Sequence, residues 1–411
     1  MPIKPIQIQV PGSKSITNRV LLLASLAKKK ITIKNIGQCD DTNYMQLGLK
    51  KIAAAKNSAK QIDIFTGNAG TATRFLTALA TLQNKTIKID GDKRMRERPI
   101  SELVTALNNL GAKIASKNGF LPLTIHPQKI QGGTIKLNGN ISSQYLSAIL
   151  MTAPFAKNST IINIQNKLTS RPYIEMTLKL LQKFGIKIAN KNFKQFKISG
   201  NQKIKAPKTF QIESDASSAS YIGAFAALHP DTPVFLKNIS KKSLQGDIKF
   251  LDFLEKMGCK ITAKNSDTEV KGPKILKSLG KVDMNETPDL VMTFAILAMF
   301  TIGTTKITNI ANLRIKETDR LQALKNEISK LGINVKIGKD FIEIHGNPAL
   351  LKKPNPPIQI ETYNDHRIAM SFGIIQDILP FLQIKKPNCV SKSYTAFWQD
   401  LKKLQTVKSS K

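Results

Sequence analysis

The chain has 411 residues, 41% of them hydrophobic, with 63 Lys and Arg against 28 Asp and Glu and a formal charge of +35. That is apolar material for two or three domains with buried cores, while the absence of any run of 18 apolar residues excludes a membrane-spanning helix. Only nine of the 63 cations are arginine, and the lysines are scattered among isoleucine and asparagine, which argues against a dense nucleic-acid-binding tract.

In chain order, a strand through Ile6-Gln7-Ile8-Gln9-Val10 follows Met1 too closely to leave room for a signal or transit peptide. Pro11-Gly12 sets a turn, and Ser13 or Ser15 caps an apolar helix running through Val20-Leu21-Leu22-Leu23. Lys14 and Arg19 sit at its N-terminal end, where unpaired N–H groups and the helix dipole already favour an anion. Five more apolar helices are predicted to start near Gly70, Ser142, Asp215, Pro288 and Asp365, at successive spacings of 57, 72, 73, 73 and 77 residues from Ser13. Their bodies, such as Tyr221-Ile222-Gly223-Ala224-Phe225, are apolar nearly all round, the pattern of buried helices.

A second, amphipathic series alternates with the first: Tyr44 to Ala55, Leu103 to Leu110, Leu178 to Phe184, Leu251 to Met257, Leu324 to Leu331 and Phe397 to Leu404. The middle four end at Gly111, Gly185, Gly258 and Gly332, which lie 74, 73 and 74 residues apart. Each suits a left-handed cap leading into a strand such as Ala112-Lys113-Ile114 or Ile333 to Ile337. The repeat predicts an α/β fold of six units, buried helices surrounded by sheets, in two three-unit domains. Residues 13–213 form the first; residues 1–12 and 214–411 form the second, with a hinge near 11–13 and 213–214.

The polar helix entrances carry the chemistry. Gly67 to Arg74 is a glycine loop, but without a GK[ST] ending or a GxGxxG after a strand it disfavours nucleotide binding. Arg94, Arg96 and Arg98 fall within five residues, ordinarily a solvated cluster. Ser142-Ser143-Gln144 offers two hydroxyls and an amide to a phosphate, and Ser170-Arg171 opens an amphipathic helix. Asp215 reads as a plain cap. Asp289 is a carboxylate in the first turn of a buried helix, able to accept a proton. Lys316 and Arg320 share one face if their segment is helical, and Asp365-His366-Arg367 opens the sixth buried helix, with His366 structural. All nine arginines fall in such segments, as planar anion binding requires. Cys39, Cys259 and Cys389 lack a CxxC or a His partner, so no disulfide, metal or cofactor is expected, and a reducing cytoplasm is. If the buried helices run parallel within each half, their N-termini gather at one end, facing a cleft that favours an anion. The expected chemistry is positioning and charge stabilisation of small polyanions by fixed cations and one or two carboxylates.

The run PGSKSITNR, GNAGTATR, RERPI, SSQYLSA, DASSASY, QGD (Gln245 to Asp247), PDLVMT, NLRIKETDRL and YNDHRIAM resembles the 5-enolpyruvylshikimate-3-phosphate synthase family of enolpyruvyl transferases over essentially the whole chain. The resemblance implies a two-domain inside-out α/β barrel of six units, a monomer, with shikimate 3-phosphate and phosphoenolpyruvate as substrates. It places Ser142, Ser143 and Ser170 on the shikimate phosphate, and Ser15, Arg19, Gln144, Asp289, Asn312 and Lys316 around the rest of that substrate. Phosphoenolpyruvate falls to Lys14, Gly70, Arg98, Gln144, Arg320, Arg367 and Lys392. Asp289 matches the base for the 5-hydroxyl and Glu317 the group that protonates C3, with Lys14 a third catalytic residue. Departures are Phe75 where many members have proline, Ser214 where glycine is common, and Arg171 where lysine is common. The sister family, UDP-N-acetylglucosamine enolpyruvyl transferase, carries a cysteine in the loop that here reads Gly91 to Arg98 without one. A basic nucleic-acid-binding repeat protein is the other alternative.

Overall fold

The structure is a computed structural model and describes residues 5–54, 61–351 and 357–409. The α/β chain divides into two compact units, Lys14–Ile212 and Met1–Ser13 with Glu213–Lys411. The first of these begins and ends one residue inside the expected 13 and 213. In the second, the two crossover segments are bonded to each other: Gly12 pairs with Ser214, Ser13 N donates to Glu213 O at 2.8 Å, and Asp215 N donates to Pro11 O at 2.8 Å.

One sheet plan recurs in four four-stranded sheets among the described residues. Gln61–Phe65 pairs in parallel with Thr86–Asp90 across the buried helix Gly70–Ala80. The amphipathic helix Ser101–Asn109 then leads to Lys113–Lys117, which turns back as Phe120–His126 to pair antiparallel with Thr86–Asp90. Gly133–Asn138, Thr160–Gln165, Ala189–Lys191 and Gln195–Ile198 repeat it, as do Lys281–Asp283, Gly303–Thr308, Asn334–Ile337 and Ile342–Gly346. In the fourth sheet the first strand is Ile6–Ile8, parallel to Val234–Leu236, so the N-terminal strand serves the helix Ala216–Leu228. Thr209–Gln211 likewise pairs in parallel with a strand distant in sequence, Thr32–Lys34. Ile358–Ile360 and Leu382–Ile384 form the remaining parallel pair.

The apolar helices are Lys14–Ser25, Gly70–Ala80, Ser143–Thr152, Ala216–Leu228, Val291–Met299 and His366–Gly373. With no polar face to present to water they form the cores: Leu22, Phe75, Leu76 and Ile149 in the first unit, Phe225, Phe294, Ile296 and Phe372 in the second, each at most 1% exposed. Burying each such side chain contributes roughly 1.5–3 kcal/mol. The four period-marking glycines all have positive φ, between +77° and +99°, where a Cβ would be strained. Among the boundaries that differ from expectation, two have a plain local cause. The helix expected over Tyr44 to Ala55 is Asp40–Ala54, because Asp40 and Asp41 in the first turn complement its dipole; Ala55 itself lies outside the described residues. The fifth buried helix starts at Val291, since Pro288–Leu290 forms a separate tight turn.

Candidate active site

In the unit Lys14–Ile212, three helix starts meet around one guanidinium. Arg19 is 1% exposed, and its Nη1 donates to the carbonyl of Ser15 at 2.9 Å, one turn back on its own helix. Its Nη2 donates to Ser147 Oγ at 3.1 Å, one turn beyond Ser143, and to the carbonyl of Tyr173 at 3.4 Å, three residues after Ser170. Its Nε donates to Thr177 Oγ1 at 2.8 Å. Ser15, Ser143 and Ser170 therefore lie within about a turn of the same cation. Burial lowers the Arg19 pKa to about 10, still a cation at neutral pH. Ser142 caps the helix that starts at Ser143, accepting from Gln144 N at 3.3 Å, and Ser170 precedes the helix Arg171–Lys183 in left-handed backbone, φ +52°.

The glycine loop brings two more arginines together. Gly70 opens its helix so closely beneath them that a Cβ would strike Arg74 Nη1 and come within 2.8 Å of Arg98 Nη2. Arg74 Nη1 donates to Gln144 Oε1 at 3.0 Å, Gln144 Nε2 donates to Thr71 Oγ1 at 3.1 Å, and Arg98 Nη1 donates to Asn68 Oδ1 at 3.2 Å. The triplet Arg94, Arg96 and Arg98 thus separates. Arg94 and Arg96 make exposed ion pairs with Glu97 and Asp90, while Arg98 is buried. Lys14 pairs with Asp41 at 3.1 Å, a carboxylate that no sequence motif singled out.

In the other unit the centre is Arg320. Its Nε donates to Asp365 Oδ2 at 2.7 Å, its Nη2 to Glu317 Oε2 at 2.8 Å, and its Nη1 to Asp289 Oδ1 at 3.1 Å. Burial alone would lower its pKa, but Asp365, Glu317 and Asp289 together push it above the ordinary guanidinium value, so it is a permanent cation. Arg367 Nη2 donates to Asp289 Oδ2 at 2.7 Å and its Nη1 to Tyr221 Oη at 3.3 Å. Lys392 Nζ lies 3.9 Å from Glu317 Oε1, and Asn312 is buried in the preceding turn. Asp289 and Glu317 keep side-chain exposures of 22% and 10%, whereas Asp365 has none. The first two can meet a substrate; Asp365 serves as the buried anchor and caps its helix through Arg367 N at 2.9 Å.

The motif Gln245 to Asp247 fastens a third helix start here. Gln245 Oε1 accepts from Ala216 N at 3.0 Å, and Ser217 Oγ donates to Asp247. Burial, then the nearby Asp289, pushes the Asp247 carboxyl up to about 7. Asp215 caps the same helix through Ser218 N at 2.7 Å, the structural role expected of it. One pairing fails: Lys316 follows the short turn Ala311–Ile315 in extended backbone, and the helix begins only at Arg320, capped by Asp319, so Lys316 and Arg320 do not share a helical face. Arg74, Asp247 and Asp365 were legible only as motif members, because no local pattern shows what they touch across the fold. Among the described residues there is no His, Cys, Asp and Glu cluster fit for a metal ion, and no helix long and apolar enough to cross a membrane.

The family described as EPSP synthase (3-phosphoshikimate 1-carboxyvinyltransferase) matches residues 4–401. The chain belongs to that family. It is 42% identical to a protein named 3-phosphoshikimate 1-carboxyvinyltransferase from Hamiltonella defensa, over 96% of this chain and 95% of that one. It is 41% identical to one of the same name from Haemophilus influenzae, over 97% and 96%. Two solved EPSP synthase structures from Acinetobacter baumannii share the fold, with TM-scores of 0.76 and 0.77 at 23% and 22% identity, over 98% of this chain and 96% of theirs. The sister-family and nucleic-acid readings are not favoured. Burial also pushes the thiols up, Cys259 to about 12, Cys389 to about 11 and Cys39 above its ordinary value, so none resembles a primed nucleophile.

Proposed function

We propose that the protein transfers the enolpyruvyl group of phosphoenolpyruvate to the 5-hydroxyl of shikimate 3-phosphate, releasing phosphate, by addition and then elimination. The observation that carries this reading is the Arg320 guanidinium, which holds Asp289 and Glu317 together as the two accessible carboxylates of a cluster that also holds Arg367 and Lys392. Asp289 takes the proton of the 5-hydroxyl as that oxygen attacks C2, and Glu317 delivers a proton to C3, giving a tetrahedral adduct. A proton then returns from C3 to Glu317 as the bond from C2 to the phosphate oxygen breaks. Both Asp289 oxygens are engaged by Arg320 and Arg367, so its basicity rises when those guanidiniums turn to the anions of phosphoenolpyruvate.

Ser142, Ser143 and Ser170 take the shikimate phosphate, with Ser15, Arg19, Gln144, Asn312 and Lys316 holding the remainder of that substrate. Lys14, Gly70, Arg98, Gln144, Arg320, Arg367 and Lys392 hold phosphoenolpyruvate, where fixed cations stabilise the departing phosphate while the Asp289 and Glu317 carboxylates offset the positive charge of the oxocarbenium-like centre. The fold reading that accompanies this function is an inside-out barrel of six units; the recurring four-stranded plan, the two parallel pairs and the six apolar helices support it. The segments near 11–13 and 213–214 are the proposed hinge. The test is the reaction in deuterium oxide. Deuterium in the methylene of the product supports protonation at C3, and an unlabelled product contradicts it.

A further inference from the structure

Glu327 stands apart from the reacting groups, on the helix Arg320–Ser329 two turns beyond Arg320, and therefore on the same face. It is fully buried. Its Oε2 accepts from the backbone N of Glu361 at 3.0 Å and pairs with Lys330 Nζ at 2.5 Å, and its Oε1 accepts from Tyr363 Oη at 2.7 Å. Lys330 Nζ donates onward to the carbonyl of Gln359 at 2.9 Å, and Asn326 Nδ2 donates to Tyr363 Oη at 3.2 Å. One helix thus grips positions 359, 361 and 363 of the incoming chain through its C-terminal half, and position 365 through Arg320.

The gripped segment needs holding. Tyr363 and Asn364 both have left-handed backbone, φ +52° and +55°, a conformation that side-chain-bearing residues keep only where their surroundings fix it. This double turn ends at Asp365, the buried anchor of Arg320, and Arg367 follows it onto Asp289.

The geometry points to Glu327 as a positioning residue for the phosphoenolpyruvate cations: by fixing the turn 361–364, it sets where Asp365 and Arg367 stand relative to Arg320. The inference rests on the proposed function, because Arg320 and Arg367 are the groups assigned there to phosphoenolpyruvate. Glutamine at this site keeps an oxygen for Glu361 N and an amide that donates to the Tyr363 oxygen; alanine keeps neither.

The test compares Glu327→Ala, Glu327→Gln and Tyr363→Phe in steady-state kinetics with each substrate varied. Glu327→Ala is expected to raise KM for phosphoenolpyruvate about tenfold while leaving KM for shikimate 3-phosphate within about twofold, and Glu327→Gln to restore most of the loss. Tyr363→Phe, which removes one hydroxyl and tests the same link if the alanine variant does not fold, is expected to raise KM for phosphoenolpyruvate about threefold. Unchanged KM for phosphoenolpyruvate in Tyr363→Phe and in whichever Glu327 variants fold, or an equal rise for both substrates, overturns the positioning role. A wild-type protein that consumes no phosphoenolpyruvate in the same assay overturns the functional reading instead.

Discussion

Arg320 Nε and Asp365 Oδ2 lie 2.7 Å apart, with side-chain exposures of 2% and 0%. A charge pair this deep holds only while both partners are present, because its desolvation is offset by their mutual contact. Asp365→Ala should therefore lower unfolding stability by about 3 kcal/mol, since it also removes a helix cap. Chemical denaturation reads this directly, and a loss below about 1 kcal/mol would show that Glu317 and Asp289 suffice to hold Arg320.

Glu317 and Asp289 make the opposite kind of contribution. They are accessible, and their proposed value is chemical. Glu317→Gln and Asp289→Ala should each lower kcat by about 10²-fold or more, the usual scale for a lost acid or base. Near-normal turnover in both variants would remove the proton transfers from the mechanism.

Gly70→Ala adds one methyl group where Arg74 and Arg98 approach most closely. The expected outcome is displacement of Arg98 and an increase of about tenfold in KM for phosphoenolpyruvate, with KM for shikimate 3-phosphate little changed. Equal effects on both substrates would show that the loop does not divide them as proposed.

Asp247 should leave a signature in stability against pH. Burial first and Asp289 second raise its folded pKa above the ordinary carboxylate value of 3.8, so the native state holds a proton that the unfolded chain releases. Its contribution is fully present below about 3.8 and is lost as pH rises through about 7. Asp247→Asn should consequently gain thermal stability relative to wild type between pH 5 and pH 8, by about 1–3 kcal/mol at the upper end. Parallel melting profiles for the two proteins would refute the raised pKa.

The repeat was legible because its signals are local. A buried helix betrays itself by lacking a polar face, and Gly111, Gly185, Gly258 and Gly332 mark left-handed caps at near-constant spacing. The pairings of Ile6–Ile8 with Val234–Leu236 and of Thr209–Gln211 with Thr32–Lys34 join strands about 180 or more residues apart, which no local pattern announces. What the sequence could not show is partnership over long separations. Arg94, Arg96 and Arg98 look alike in one dimension, yet only Arg98 turns inward, because Asp90 and Glu97 capture the others at the surface. Lys316 and Arg320 look like helix neighbours until Asp319 is seen to cap the helix between them. Asp365 and Glu327 are an ordinary cap and an ordinary helix acid until the turn 361–364 brings them against one helix.

The most direct measurement is phosphate release from phosphoenolpyruvate by the purified protein, with and without shikimate 3-phosphate. Enolpyruvyl transfer predicts release only when both are present, matched one for one by an enol ether at the 5-oxygen of shikimate 3-phosphate. Release independent of shikimate 3-phosphate, or none with both substrates present, would contradict it.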